Sequence, residues 1–290
     1  MSPSAGLYER LRDALRAEEP AALATVVEVQ PSDDVDGPWP SAGAKLLVTG
    51  GDTLGSLGHP GLDAVVSRDA AGALESGLTS TRHYGPHGEA RRRDVAVFVE
   101  VFAPPPRMII FGAVDFTAAL ARVAKILGYR VTVCDARPVF ATRARFPMAD
   151  EIVVDWPDRH LAQVGDQLGP RDAVCVLTHD PKFDVPALVA ALATRAGYVG
   201  AMGSRRTHAE RTRRLREAGL DDEGVARIMA PIGIDIGART PEETAVSICA
   251  EIIALRVGGR PVPSLKDASG PIHRGGMPDP GPDWSGERTA

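Results

Sequence analysis

The proline run Ala103-Pro104-Pro105-Pro106 splits the sequence into two textures, and the texture after it admits few folds. Three successive prolines neither donate to a sheet nor continue a helix, so the run acts as a stiff connector. Beyond it come five short apolar runs: Met108 to Phe111, Arg130 to Cys134, Glu151 to Val154, Ala173 to Leu177 and Tyr198 to Met202. Stretches with helical spacing fill the gaps, at 115–127, 157–168, 183–196 and 204–218. Strands of this kind, alternating with segments of helix length, make a parallel sheet covered on both faces. The expected fold class is α/β, with a C-terminal Rossmann-like doubly wound parallel sheet over residues 107–260.

Residues 1–103 read as a smaller N-terminal α+β domain. Leu7, Leu11 and Leu15 fall on one face of a helix over 7–17. Ala22 to Gln30, Lys45 to Thr49 and Asp94 to Val101 are strand-like, with a Pro/Gly/Asp-rich loop from Pro31 to Gly43 and a turn at Gly50-Gly51-Asp52. At the other end, Thr240, Pro241 and Glu243 spell a capping box opening a helix to Val257, stopped by Gly258-Gly259. Residues 261–290, rich in proline and glycine, are expected to form a disordered tail.

The chain has 290 residues, 44% hydrophobic and 24% charged, the balance of a soluble globular protein of two domains. A formal charge of -5 gives no global attraction for nucleic acid or an anionic membrane. No apolar run reaches membrane-spanning length, and the charged start (Glu9, Arg10, Arg12, Asp13) lacks a signal-peptide core. Cys134, Cys175 and Cys249 lie far apart without CxxC spacing. That usage fits a reducing cytoplasm and argues against disulfides or a structural zinc site. All three sit in apolar runs and are expected to be buried and inert.

Four segments carry chemistry. The turn Phe111-Gly112-Ala113-Val114-Asp115-Phe116-Thr117 stands where a dinucleotide fold has GxGxxG, yet only Gly112 fits. Val114 and Thr117 replace the other glycines, and Asp115 puts a negative charge where pyrophosphate would sit. Asp135 ends the next strand, where an acidic residue would hold a ribose. The balance disfavours NAD(P) against a purely structural turn. His179 and Asp180 leave a strand end. Either Asp180 orients a titrating imidazole, or Asp180-Pro181 simply starts the next helix. Gly203, Ser204 and Arg205 join a strand end to a helix start, where backbone N–H groups and a guanidinium favour an anion. The alternative is a solvated basic face, continued by Arg211, Arg213, Arg214 and Arg216, all four expected at the surface. Asp235, between Gly233 and Gly237, either accepts from a pterin's amine groups or fixes its loop by an Asx turn.

Taken in order, Leu177-Thr178-His179-Asp180, Tyr198-Val199-Gly200-Ala201-Met202-Gly203-Ser204-Arg205 and Ala230-Pro231-Ile232-Gly233-Ile234-Asp235-Ile236-Gly237-Ala238-Arg239-Thr240-Pro241-Glu242-Glu243 resemble the XdhC/CoxI family. Tyr129-Arg130-Val131-Thr132-Val133-Cys134-Asp135-Ala136-Arg137-Pro138 is similar to the family's second Rossmann strand. The resemblance implies a cytoplasmic, commonly dimeric accessory protein rather than a self-sufficient catalyst. Such proteins bind molybdenum cofactor, shelter it during sulfuration and deliver it to a target molybdenum hydroxylase of the xanthine or carbon monoxide dehydrogenase type. A cysteine desulfurase is the other implied partner. Three departures stand out. The family turn resembles GAGHxG, against Gly112-Ala113-Val114-Asp115-Phe116-Thr117. Gly61 occupies the cysteine of a GSxSGGCLE-like segment, with His59 close by, and a second family cysteine is missing near Arg91-Arg92-Arg93. Two other classes compete: an NAD(P)-dependent oxidoreductase, and a regulatory scaffold that has lost its ligand.

Overall fold

The computed structural model describes residues 3–32, 38–50 and 52–256. The tail expected at 261–290, the last helix's end at Val257 and part of the Pro31–Gly43 loop lie outside the described residues. The chain divides into two compact units between Pro104 and Pro105.

In the first unit, α1 (Pro3–Arg16) and α2 (Pro60–Ser76) accompany strands β1 (Ala21–Val29), β2 (Lys45–Thr49), β3 (Thr53–Ser56), β4 (Ser80–Tyr84) and β5 (Val95–Phe102). The strands form an antiparallel sheet in the order β3-β2-β1-β5-β4. Alternation along β1 sends Ala22, Ala24 and Val26 into a core with α2, and Ala21 and Leu23 into a core with α1. In α1 the buried stripe is Leu7, Leu11 and Ala14, while Leu15 is exposed. Ala14 at i+7 sits closer to the helical stripe than Leu15 at i+8. Helix α2 and strands β3 and β4 go beyond the elements expected from the sequence. Helix α2 does carry end signals: Pro60 in its first turn and Gly77 in the left-handed conformation at φ 71° beyond its last residue.

The second unit contains β6 (Arg107–Phe111), α3 (Asp115–Ile126), β7 (Arg130–Cys134), β8 (Glu151–Val153), α4 (Pro157–Val164), β9 (Ala173–Val176), α5 (Pro181–Leu192), β10 (Tyr198–Ala201), α6 (Arg205–Glu217), α7 (Asp222–Ala226), β11 (Ile228–Met229) and α8 (Pro241–Arg256). Its six strands are all parallel, in the order β11-β10-β9-β6-β7-β8. The chain winds outward from β6 to β8, returns beside β6 as β9, and winds outward the other way. This is the doubly wound Rossmann-type topology expected from the sequence, with a sixth strand too short to show a period. One face packs Met108, Ile110, Val131 and Val133 against α3 and α8, and the other packs Ile109, Phe111, Val174 and Val176 against α4, α5 and α6.

One arginine expected at the surface is buried. Arg211 is only 4% exposed, and its Nη2 donates to Asp184 Oδ2 at 2.8 Å and to the Met202 carbonyl at 2.8 Å. Asp184 also accepts from the Thr178 hydroxyl. Arg211 lies four residues before Leu215 on the inward stripe of α6, whereas Arg213, Arg214 and Arg216 point out. Removing one partner of a buried pair strands the other charge. Arg211→Ala should therefore cost about 3–5 kcal/mol of stability. A melting temperature unchanged from the parent would show that the pair carries no such weight.

Candidate functional site

Because the six strands run parallel, their carboxyl ends lie along one edge, and every segment singled out in the sequence leaves from that edge. Gly112 follows β6, Asp135 follows β7, His179 and Asp180 follow β9, Gly203 to Arg205 follow β10, and Asp235 and Gly237 follow β11. In open α/β sheets ligands bind beyond this edge, at the point where the winding reverses. Here that point lies between β6 and β9.

At the reversal point Gly112 has φ 105°, and a β-carbon there would lie 2.7 Å from Thr178 Cγ2. A glycine is thus needed for the β6 turn to lie against the exit of β9. The turn is closed on itself. Gly112 N–H donates to the Cys134 carbonyl at 3.0 Å and Ala113 N–H to Asp135 Oδ2 at 2.8 Å, while the Thr117 hydroxyl donates to the Gly112 carbonyl. Asp135 also accepts from Arg137 N–H and Nε at 2.9 Å each and from its Nη2 at 2.8 Å. Burial alone would raise the Asp135 pKa, but these bonds outweigh it and hold the carboxyl below its ordinary value. Both its oxygens are engaged, so the geometry is that of the structural turn. Arg145 completes it, donating from Nη1 to the Ala113 carbonyl at 3.0 Å with Nη2 3.6 Å from Asp115. Sequence reasoning missed Arg137 and Arg145; the Asp135-x-Arg137 spacing is the one local signal.

His179 is exposed at the exit of β9. The Asp180 carboxylate accepts from Lys182 N–H at 3.1 Å and pairs with Lys182 Nζ at 3.2 Å. It caps α5 and does not orient the imidazole.

At the next strand end Gly203 bends the chain at φ 146°, and Ser204 Oγ caps α6 by accepting from Thr207 N–H at 3.1 Å. Along α6 the outward arginines differ in their partners. Arg213 and Arg214 pair with Glu210, Arg213 also with Glu217, and Arg216 with Asp222. Arg205 and Arg206 are exposed, and among the described residues no carboxylate pairs with them. Unneutralised positive charge therefore gathers at the helix start, where the helix dipole adds to it.

Asp235 Oδ1 accepts from Gly237 N–H at 3.3 Å, an Asx turn at the exposed tip of its loop. The loop hangs from α8: Gly233 N–H donates to Glu251 Oε2 at 2.9 Å, and Ser247 Oγ to the Ile234 carbonyl at 2.5 Å. The capping box forms, with Glu243 N–H on Thr240 Oγ1 and Thr240 N–H on Glu243 Oε2, each at 3.1 Å.

In the first unit, a β-carbon on Gly61 would lie 2.4 Å from the His87 carbonyl oxygen. No side chain fits there. His59 Nδ1 accepts from Gly61 N–H at 3.1 Å, and the His59 and His87 rings lie 4.3 Å apart. All three cysteines are buried. Burial pushes the thiol of Cys134 up to about 12 and that of Cys249 to about 11, and it raises that of Cys175 well above its ordinary value too. Among the described residues no group of three or more His, Cys, Asp or Glu is placed to hold a metal, and no helix is long and apolar enough to cross a membrane.

The fold is that of a Rossmann-type protein whose carboxyl edge carries an unpaired basic helix start and a turn hydrogen-bonded within itself. A family model described as the XdhC Rossmann domain matches residues 108–252, and one described as the XdhC and CoxI family matches residues 14–85. The chain belongs to the XdhC and CoxI family. It is 32% identical over 195 residues to a probable xanthine dehydrogenase subunit of Bacillus subtilis (strain 168), covering 62% of this chain and 56% of that one. It is 31% identical over 156 residues to the molybdenum cofactor insertion chaperone PaoD of Escherichia coli (strain K12), covering 54% and 42%. The chain spans about half the length of the curated relatives it matches. A crystal structure described as a xanthine dehydrogenase from Bacillus halodurans shares 22% identity at a TM-score of 0.47, covering 84% of this chain and 94% of that one.

Two outcomes follow from this geometry. Asp135→Asn should lose about 1.5–3 kcal/mol at neutral pH, from bonds to a charged acceptor. A depressed folded-state pKa gives stability above the ordinary carboxylate value that fades as pH falls through the depressed one. The gap between parent and variant should therefore close on acidification, and a pH-independent gap in urea melts would refute the charge argument. The cysteines should resist a thiol reagent in the native state and react on unfolding; rapid native labelling would contradict their burial.

Proposed function

We propose that this chain binds molybdenum cofactor at the carboxyl edge of its parallel sheet and hands it to a molybdenum hydroxylase of the xanthine or carbon monoxide dehydrogenase type. The observation that carries the reading is the unneutralised start of α6. There the helix dipole and the exposed Arg205, which no carboxylate pairs with among the described residues, lie at the end that Ser204 caps through Thr207 N–H. A pterin phosphate fits that donor set, and the Asp235 loop supplies an exposed acceptor for the pterin's amine groups. Thiolate ligation does not fit, because the chain's three cysteines are buried in strands and a helix. The cofactor brings the molybdenum chemistry; the residues of this chain hold its phosphate and its pterin edge. The protein is then an accessory factor of the cytoplasm, working as a homodimer, with a cysteine desulfurase and the apo-hydroxylase as partners.

The nicotinamide alternative is disfavoured by the turn itself. Its Gly112 and Ala113 N–H groups are consumed within the fold, and Asp135 is fully engaged by Arg137 and Ala113. The discriminating experiment compares Arg205→Ala with Arg213→Ala. Losing Arg205 should remove a charge-assisted contact and weaken cofactor retention by about ten- to a hundredfold. Arg213, far beyond the first turn and paired with Glu210 and Glu217, should be neutral. Equal retention by both variants would misplace the site, and unfolding of Arg205→Ala would make the residue structural.

A further inference from the structure

Helix α8 is apolar on two sides, and only one of them is covered. Ala245, Ile248, Cys249 and Ile252 face the sheet and join the core beneath α3 and α8. The side turned to solvent carries Val246, Ala250 and Ile253, whose spacing of four and then three residues sets them in one stripe along the helix. Val246 is 51% and Ile253 44% exposed. A helix apolar all round belongs in an interior, whereas a surface helix turns charge outward, as α6 does with Arg213, Arg214 and Arg216. Helix α3 extends the bare face. Its Arg122 Nη2 reaches Glu242 Oε1 of α8 at 2.8 Å, and Ile126, one turn further along the same side of α3, is 84% exposed.

The ends of α8 indicate what covers this face. Its first turn carries Glu242 and Glu243, and its last turn Arg256. Glu242 and Arg256 are separated by about four full turns and so share one flank of the stripe. Two copies of α8 laid antiparallel place the acidic first turn of each beside the Arg256 of the other, and their helix dipoles oppose. A parallel pair would set like charges together. The apolar positions keep the same register. Val246 and Ile253 lie equally far from the midpoint between Cys249 and Ala250, as do Glu243 and Arg256. A two-fold axis through that midpoint sets Val246 against Ile253 of the other copy, which makes the surface self-complementary. Ala250, beside the axis, is small enough for the two helices to approach closely. Burial, and after it the like charge of Arg256, hold the Arg171 pKa below its ordinary value, so Arg256 gains from a carboxylate brought near it.

We propose that the outer face of α8, with the end of α3, packs against the same face of a second copy of this chain, antiparallel and about a two-fold axis beside Ala250. The inference rests on the homodimer of the reading above and gives it an interface. Glu242 keeps its exposed pair with Arg122 and shares its carboxylate with the other copy's Arg256.

The test is sedimentation equilibrium of the full chain without cofactor, over a range of concentrations. The parent should dimerise. Ala250→Arg and Ile253→Glu, both on the solvent side of the helix, should keep the parent's circular dichroism and weaken dimerisation about thirtyfold or more. Glu242→Lys and Arg256→Glu should each weaken it, and the two together should restore it, because the pair then attracts with its signs exchanged. Arg205→Ala should dimerise like the parent while losing cofactor, so this interface and the cofactor site fail separately. The proposal falls if the parent stays monomeric throughout, if either Ala250→Arg or Ile253→Glu dimerises like the parent, or if the double charge exchange dimerises no better than the single changes.

Discussion

The second unit depends on the burial of β6. This strand is hydrogen-bonded on both sides, to β7 and β9, and its side chains enter the two cores alternately. A strand so placed must be apolar at every interior position, and Met108 to Phe111 are all at most 2% exposed. Parallel neighbours then require crossover helices, and the crossovers bring every strand's carboxyl end to the same edge. Loops distant in sequence become neighbours without any ligand to gather them.

The same constraint explains which features were legible. Fully buried parallel strands leave near-continuous runs of Val, Ile and Ala, so β6, β7, β9 and β10 are plain in the sequence. The capping box at Thr240 to Glu243 is equally plain, because its partners are three residues apart. Strand β11 has two residues and no period to read. The fate of Arg211 is non-local: it is buried because Asp184 and Thr178, on other elements, meet it. Nothing in its own helix separates it from Arg213 except phase relative to Leu215. In the same way Asp135 is recognisable as a strand-end acid, but not as one saturated by Arg137 and Ala113.

Charge along α6 shows how a candidate site can survive beside a surface that only resembles one. Six of its thirteen residues are arginines, a density that suggests a uniform basic face. The fold divides them into three sets. Arg211 is buried against Asp184, and Arg213, Arg214 and Arg216 are matched by carboxylates within one or two turns. Arg205 and Arg206 have no carboxylate partner among the described residues. The pairs nearer the carboxyl end spare the helix self-repulsion and add a few tenths of a kcal/mol each. The field at the amino end is thereby left local and directed.

The first unit bears on the proposed cofactor handling. Gly61 is not an empty place awaiting a thiol. The His87 carbonyl closes on it, a β-carbon on Gly88 would meet its carbonyl at 2.8 Å, and His59 turns back to cap α2 through Gly61 N–H. A cysteine there would have to displace the backbone of the 85–89 loop. A side chain at position 61 and the present course of the 85–89 loop therefore exclude each other. On the proposed reading, the chain's grip on the cofactor then rests on charge and hydrogen bonds, which release more readily than a metal–sulfur bond.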